Sequence, residues 1–126
     1  MNYWRNSTDV EIETLVGKTI TDIKSDDYEV RLITTDGETY IMFHDQDCCE
    51  NVELEDVIGE FNDLIGSPIT MAEEVTQAGN SDWGSATWTF YKLATVKGYV
   101  TLRWFGESNG YYSETVDFVL LNKEGE

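Results

Sequence analysis

The run His44-Asp45-Gln46-Asp47-Cys48-Cys49-Glu50 holds the only histidine and both cysteines of the chain. Thiolate sulfur and imidazole nitrogen are donors that suit zinc, normally four to an ion in a tetrahedron. His44, Cys48 and Cys49 offer three donors of that kind. Asp47 is taken as the fourth, with Asp45 and Glu50 as alternative carboxylates. One zinc per chain is the expectation, because thiolates select zinc over calcium or magnesium even beside many carboxylates. Adjacent side chains point apart on a regular strand, so both sulfurs reach one ion only from a tight loop. A competing reading needs no metal: free cysteine is a common small core residue, and His44 then simply ends a strand. A third makes one cysteine a nucleophile and His44 its base, although no residue is identified to orient that base.

A second distinctive run is Trp104-Phe105-Gly106-Glu107-Ser108-Asn109-Gly110-Tyr111-Tyr112-Ser113-Glu114, which crowds aromatics around a polar turn. One reading is a hairpin whose aromatics pack across strands. The other is a recognition turn, with Glu107, Tyr111 and Tyr112 in contact with a partner, since tyrosine is a good interface anchor.

Charge narrows the partner. The net charge is −17, and no lysine or arginine lies between Arg31 and Lys92, a gap holding 13 acidic residues. Such a field repels nucleic acid and membrane surfaces and attracts basic proteins. It is either a solvated, solubilising face or a surface that docks on a basic groove built for nucleic acid. In the docking reading Glu53, Glu55, Asp56, Glu60 and Asp63 carry the contact.

These residues need a scaffold. A chain of 126 residues, 40% hydrophobic and 13% aromatic, fits one domain with a real core. No apolar run approaches the length of a membrane helix, and residues 1–6 lack an apolar signal core. A cytoplasmic setting is expected, where thiols stay reduced and a vicinal disulfide is not anticipated. Residues 1–14 read as a loose arm with Tyr3 and Trp4 as anchors, and residues 122–126 as a polar tail. Residues 19–24, 28–32 and 39–44 read as a three-stranded meander, its second turn set by Asp36-Gly37. Val57, Ile58, Phe61, Leu64 and Ile65 recur at helical spacing and predict one short helix over residues 55–64, capped by Gly66 and stopped by Pro68. Residues 69–76, 86–95, 98–105 and 111–121 read as further strands. The expected fold class is α+β: mainly antiparallel sheet, seven or eight strands, one short helix, with His44 at the exit of the third strand.

Residues 44–50, Asp63-Leu64-Ile65-Gly66-Ser67-Pro68-Ile69, Thr87-Trp88-Thr89-Phe90-Tyr91-Lys92, Gly98-Tyr99-Val100 and residues 106–114 together resemble a small family of phage and prophage proteins of unknown function. The resemblance spans roughly residues 15–118. It implies a phage origin, and zinc-containing anti-CRISPR proteins acting on Cas9 are the members it brings forward. The expectation is a non-enzymatic inhibitor of a host defence nuclease, Cas9 favoured. It would act in the host cytoplasm and block DNA loading without itself binding nucleic acid or membrane. The alternatives are a small metal- or thiol-dependent enzyme, and a phage protein that sequesters a small signalling molecule.

Overall fold

The structure is a computed structural model that describes residues 6–122. Nine strands form two antiparallel sheets: β1 (Ser7–Asp9), β2 (Ile20–Ser25), β3 (Glu29–Thr34), β4 (Thr39–Phe43), β5 (Glu50–Ile58), β6 (Met71–Gly79), β7 (Ser85–Thr95), β8 (Gly98–Ser108) and β9 (Asp117–Leu121). The first sheet runs β1-β9-β4-β3-β2 and the second β5-β8-β7-β6. The sheets pack face to face. Val30, Leu32, Tyr40, Met42 and Phe118 from the first meet Val52, Tyr91, Leu93, Val100, Leu102 and Trp104 from the second in one buried cluster. Phe118 joins the layers: its ring stacks on Tyr40 at 5.7 Å and tilts against Tyr91 at 6.2 Å.

Alternation explains most of this. In β3 the even residues Val30, Leu32 and Thr34 are buried and the odd ones half-exposed, the period of two that a one-sided strand imposes. The expected meander forms as β2-β3-β4. Gly37 takes φ +84° in the β3–β4 turn, a conformation side chains resist.

The helix expected over residues 55–64 does not form. No α-helix occurs among the described residues; Ile12–Leu15 and Phe61–Leu64 are 3-10 turns. The segment is split between a bulged strand and a 3-10 turn. Strand β5 slips register against β8 between Leu54 and Asp56, so one extra residue enters the strand. Val57 and Ile58 are the last residues of β5, the first against the core and the second exposed, while Phe61 and Leu64 lie in the 3-10 turn and Ile65 follows it, so their spacing imitates a helix without forming one. Gly59, at φ +114°, ends the strand. The supposed loose arm also differs over its described part. Ser7–Asp9 pairs with β9 as an edge strand, and Ile12 and Leu15 are buried in the core. Tyr3 and Trp4, the expected anchors, lie outside the described residues, as do 123–126 of the tail. Residues 111–116 form loop rather than strand, and β9 begins at Asp117.

Candidate functional site

The two distinctive motifs meet at one end of the paired sheets. His44 leaves β4, and residues 45–49 loop round to Glu50, the first residue of β5. Glu50 sits across from Ser108 at the end of β8, and Ser108 sits across from Ser85 at the start of β7. The loop of residues 109–116 leaves from Ser108 and returns past the same spot.

Glu50 organises the first loop. Its side chain is fully buried. One carboxylate oxygen accepts from His44 Nε2 at 2.7 Å and from the Asp47 N–H at 2.9 Å, and the other accepts from the Cys48 N–H at 2.9 Å. Burial alone pushes this carboxyl up. The bond from His44 and those two backbone donors outweigh it and hold the group at about 2, as expected where hydrogen bonds favour the charged form. His44 Nδ1 lies 2.7 Å from the Thr115 carbonyl oxygen, so the imidazole ties the first loop to the second. The Asp45 N–H donates to Asp117 on β9 at 3.1 Å; burial, the largest influence on Asp117, raises its carboxyl above the ordinary range despite that bond.

Glu114 does the same work in the second loop. It is buried and accepts hydroxyl hydrogen bonds from Ser108 at 2.6 Å, from Thr87 at 2.9 Å and from Ser85. Burial pushes this carboxyl up, but the three hydroxyls hold it below the usual range. Gly106 lies against the Glu114 backbone so closely that a Cβ would collide with the Glu114 carbonyl oxygen.

The expected zinc donors are not arranged as a zinc site. Both ring nitrogens of His44 are engaged, with Thr115 and Glu50. Cys48 and Cys49 are joined to each other by a disulfide, the vicinal bond that was not anticipated. Asp47 is exposed, and its backbone rather than its carboxylate takes part in the loop network. Among the described residues no group of three or more His, Cys, Asp or Glu side chains is placed to hold a metal ion. As they stand, these residues do not fit a zinc ion, which needs free thiolates and an imidazole lone pair.

The acidic docking residues fall on one edge. Glu55, Asp56 and Glu60 are exposed and Glu53 is half-buried, all on edge strand β5 and the turn after it. Asp63 is half-buried, its carboxylate within 2.6 Å of where a Gly98 Cβ would stand. Glu107 accepts from the Ser81 hydroxyl at 2.9 Å and fastens the loop of residues 80–84. Tyr111 is 89% exposed and Tyr112 half-buried, both on the second loop.

Sequence reasoning missed a further surface, the outward face of the second sheet. Register places its residues in rows. Glu53, Phe105, Trp88 and Gln77 form one, and Asp56, Arg103, Phe90 and Val75 the next; Thr101, Lys92 and Glu73 follow with Ile58. Trp88 packs against Phe105 at 4.5 Å and Phe90 at 6.4 Å. The Arg103 guanidinium lies 5.5 Å from the Trp88 ring centre and bonds Glu55 at 2.6 and 2.8 Å. The signal was present: Trp88-Thr89-Phe90-Tyr91 puts aromatics at both parities of one strand, more than a strand with a single buried face requires.

Residues 13–118 match a family described as a domain of unknown function, DUF7448, and the chain belongs to that family. Neither the curated proteins nor the solved structures contain a match to the chain. No helix among the described residues is long and apolar enough to cross a membrane.

Proposed function

For a member of a family whose description names no activity, we propose a non-enzymatic binding protein whose acidic flank docks on a basic surface of a partner protein. The observation that carries this reading is the placement of Glu53, Glu55, Asp56 and Glu60 along β5 and its following turn, with Arg103 as their one basic contact among the described residues. An edge strand lined with carboxylates also resists pairing with a second copy. That leaves its charge free to steer a basic partner, which raises association rates and makes them salt-sensitive. The resemblance to phage and prophage proteins supplies the partner class: a host defence nuclease, Cas9 first, held off its DNA by occupation of the groove that loads it.

The test is a pull-down of purified Cas9 and unrelated nucleases on the full chain at rising salt, followed by a DNA-cleavage assay. Salt-sensitive capture with loss of cleavage supports the reading, and charge-neutralising Glu55→Gln with Asp56→Asn should weaken it. Capture that ignores salt, or none from any basic nuclease, overturns it. Zinc has no part in the proposal, because the residues expected to hold it are bonded elsewhere.

A further inference from the structure

The outward face of the second sheet is apolar at its centre and acidic along the β5 edge, with Glu53, Glu55 and Asp56; the β6 edge adds one acid, Glu73, across from Lys92. Trp88, Phe90 and Phe105 belong to neither buried cluster. They touch one another, while Val75 beside Phe90 is 37% exposed and Ile58 at the β5 edge 51% exposed. Trp88, Phe90 and Phe105 are themselves half-buried, and an apolar sheet face that reaches solvent in this way is the kind of surface a partner covers.

The structure shows what such a face does with a guanidinium. Arg103 is held between the Trp88 ring and the Glu55 and Asp56 carboxylates. That combines aromatic stacking with carboxylate bonding, the pair of interactions that distinguishes arginine from lysine. The same two groups recur beside it. Phe105 is flanked by Glu53, and Phe90 lies one row from Glu73, which Lys92 faces across the strands.

We propose that this face is the docking site for an arginine-bearing segment of a basic partner protein, its guanidinium groups lying on Phe90 and Phe105 and reaching the carboxylates at the edges. The proposal rests on the acidic-docking reading and says where the contact is made. Two other occupants fit poorly. Aromatics on the central strands of a four-stranded sheet can stack nucleic-acid bases, but the rim acids here would face phosphates. A second copy would bring two chains of net charge −17 together, acid edge to acid edge.

The experiment titrates the isotope-labelled full chain at low salt with oligoarginine, with oligolysine of equal length and with a single-stranded oligonucleotide, reading amide and aromatic NMR shifts. Oligoarginine should shift the amides of β7 and β8 around Trp88, Phe90 and Phe105 and bind more tightly than oligolysine. Val75→Lys on the exposed edge and Phe90→Ala should each weaken it by about fivefold or more, the range of an interface anchor. Far-UV circular dichroism establishes that both variants are folded, and Val75→Lys alters no buried residue. Shifts confined to β5 and the 59–63 turn, with the aromatic face silent, overturn the face and leave acidic docking standing. No response to either peptide overturns both. Shifts of the face by the oligonucleotide, or self-association through it in sedimentation, overturn the arginine-bearing partner.

Discussion

Replacing Glu50 by glutamine tests whether the 44–50 motif is held together by a buried carboxylate. The substitution keeps shape and volume. What it changes is that one oxygen becomes an NH2 donor. Oε1 faces the Cys48 N–H, and Oε2 faces both His44 Nε2 and the Asp47 N–H. Whichever way the amide turns, a donor meets a donor in a fully buried place. Losing a charge-assisted bond and leaving a buried donor unpaired costs about 2 kcal/mol. For a domain of this size that is about 8 °C in Tm, at roughly 4 °C per kcal/mol. The pH dependence gives a second readout. Glu50 is held at about 2 in the folded chain against an ordinary value of 4.5. Its stabilisation is therefore fully present above pH 4.5 and is lost as the pH falls from there toward 2. Differential scanning calorimetry and urea unfolding should show the wild type well above Glu50→Gln at neutral pH, the two converging as the pH falls through that window. Glu55→Gln, at an exposed pair with Arg103, is the control and should change stability by less than about 1 kcal/mol. A Glu50→Gln protein as stable as wild type, or a gap unchanged down to acid pH, would refute the role given to this carboxylate.

Glu114→Ala strips three hydroxyls of their acceptor and should cost about 2–4 kcal/mol; hydrogen exchange should show faster exchange through residues 109–116 with the meander unaffected. Gly59→Ala places a Cβ 2.6 Å from the Tyr99 carbonyl oxygen at a φ of +114°. Urea unfolding should show a loss of more than about 1 kcal/mol. Elemental analysis of protein purified in air without a histidine tag should find well under about half a zinc per chain, given that a structural site binds one ion; a value near one would show that the 44–50 loop opens to free both sulfurs and the imidazole.

The strands were legible where one face is buried and the other wet. β3 alternates and is joined by Asp36-Gly37 to β4, a continuous apolar run buried on both faces, and the burial of 98–105 alternates from Gly98. The bulge at Glu55 was not legible, because one inserted residue turns the alternation of Val52 and Leu54 into the three-residue step to Val57. The pairing of Ser7–Asp9 with β9 was not legible either. A three-residue edge strand gives no periodicity, and its partner is more than a hundred positions away. At the candidate site the sequence located the 44–50 motif but did not show the hydrogen-bond network that its residues form. Spacing shows which donors are close along the chain. It does not show that Glu50 and the Thr115 carbonyl reach the imidazole first.

Glu50 and Glu114 make the reason general. Each closes a loop whose backbone or hydroxyl donors would otherwise be buried without partners, and a buried donor must be satisfied wherever the acceptor comes from. A carboxylate is an efficient choice, since its two oxygens accept several bonds at once. Its negative charge is tolerable there only because donors surround it. Two of the residues that look most like chemistry in this sequence, His44 and Glu50, are thus engaged in holding the loops together. Trp88, Phe90 and Phe105 sit in strands that look like ordinary core, yet they face outward, half-buried, and belong to neither core cluster among the described residues. A search for partners should accordingly begin with substitutions on that face. Changes in the 44–50 loop would perturb folding and binding together, and would not tell the two apart.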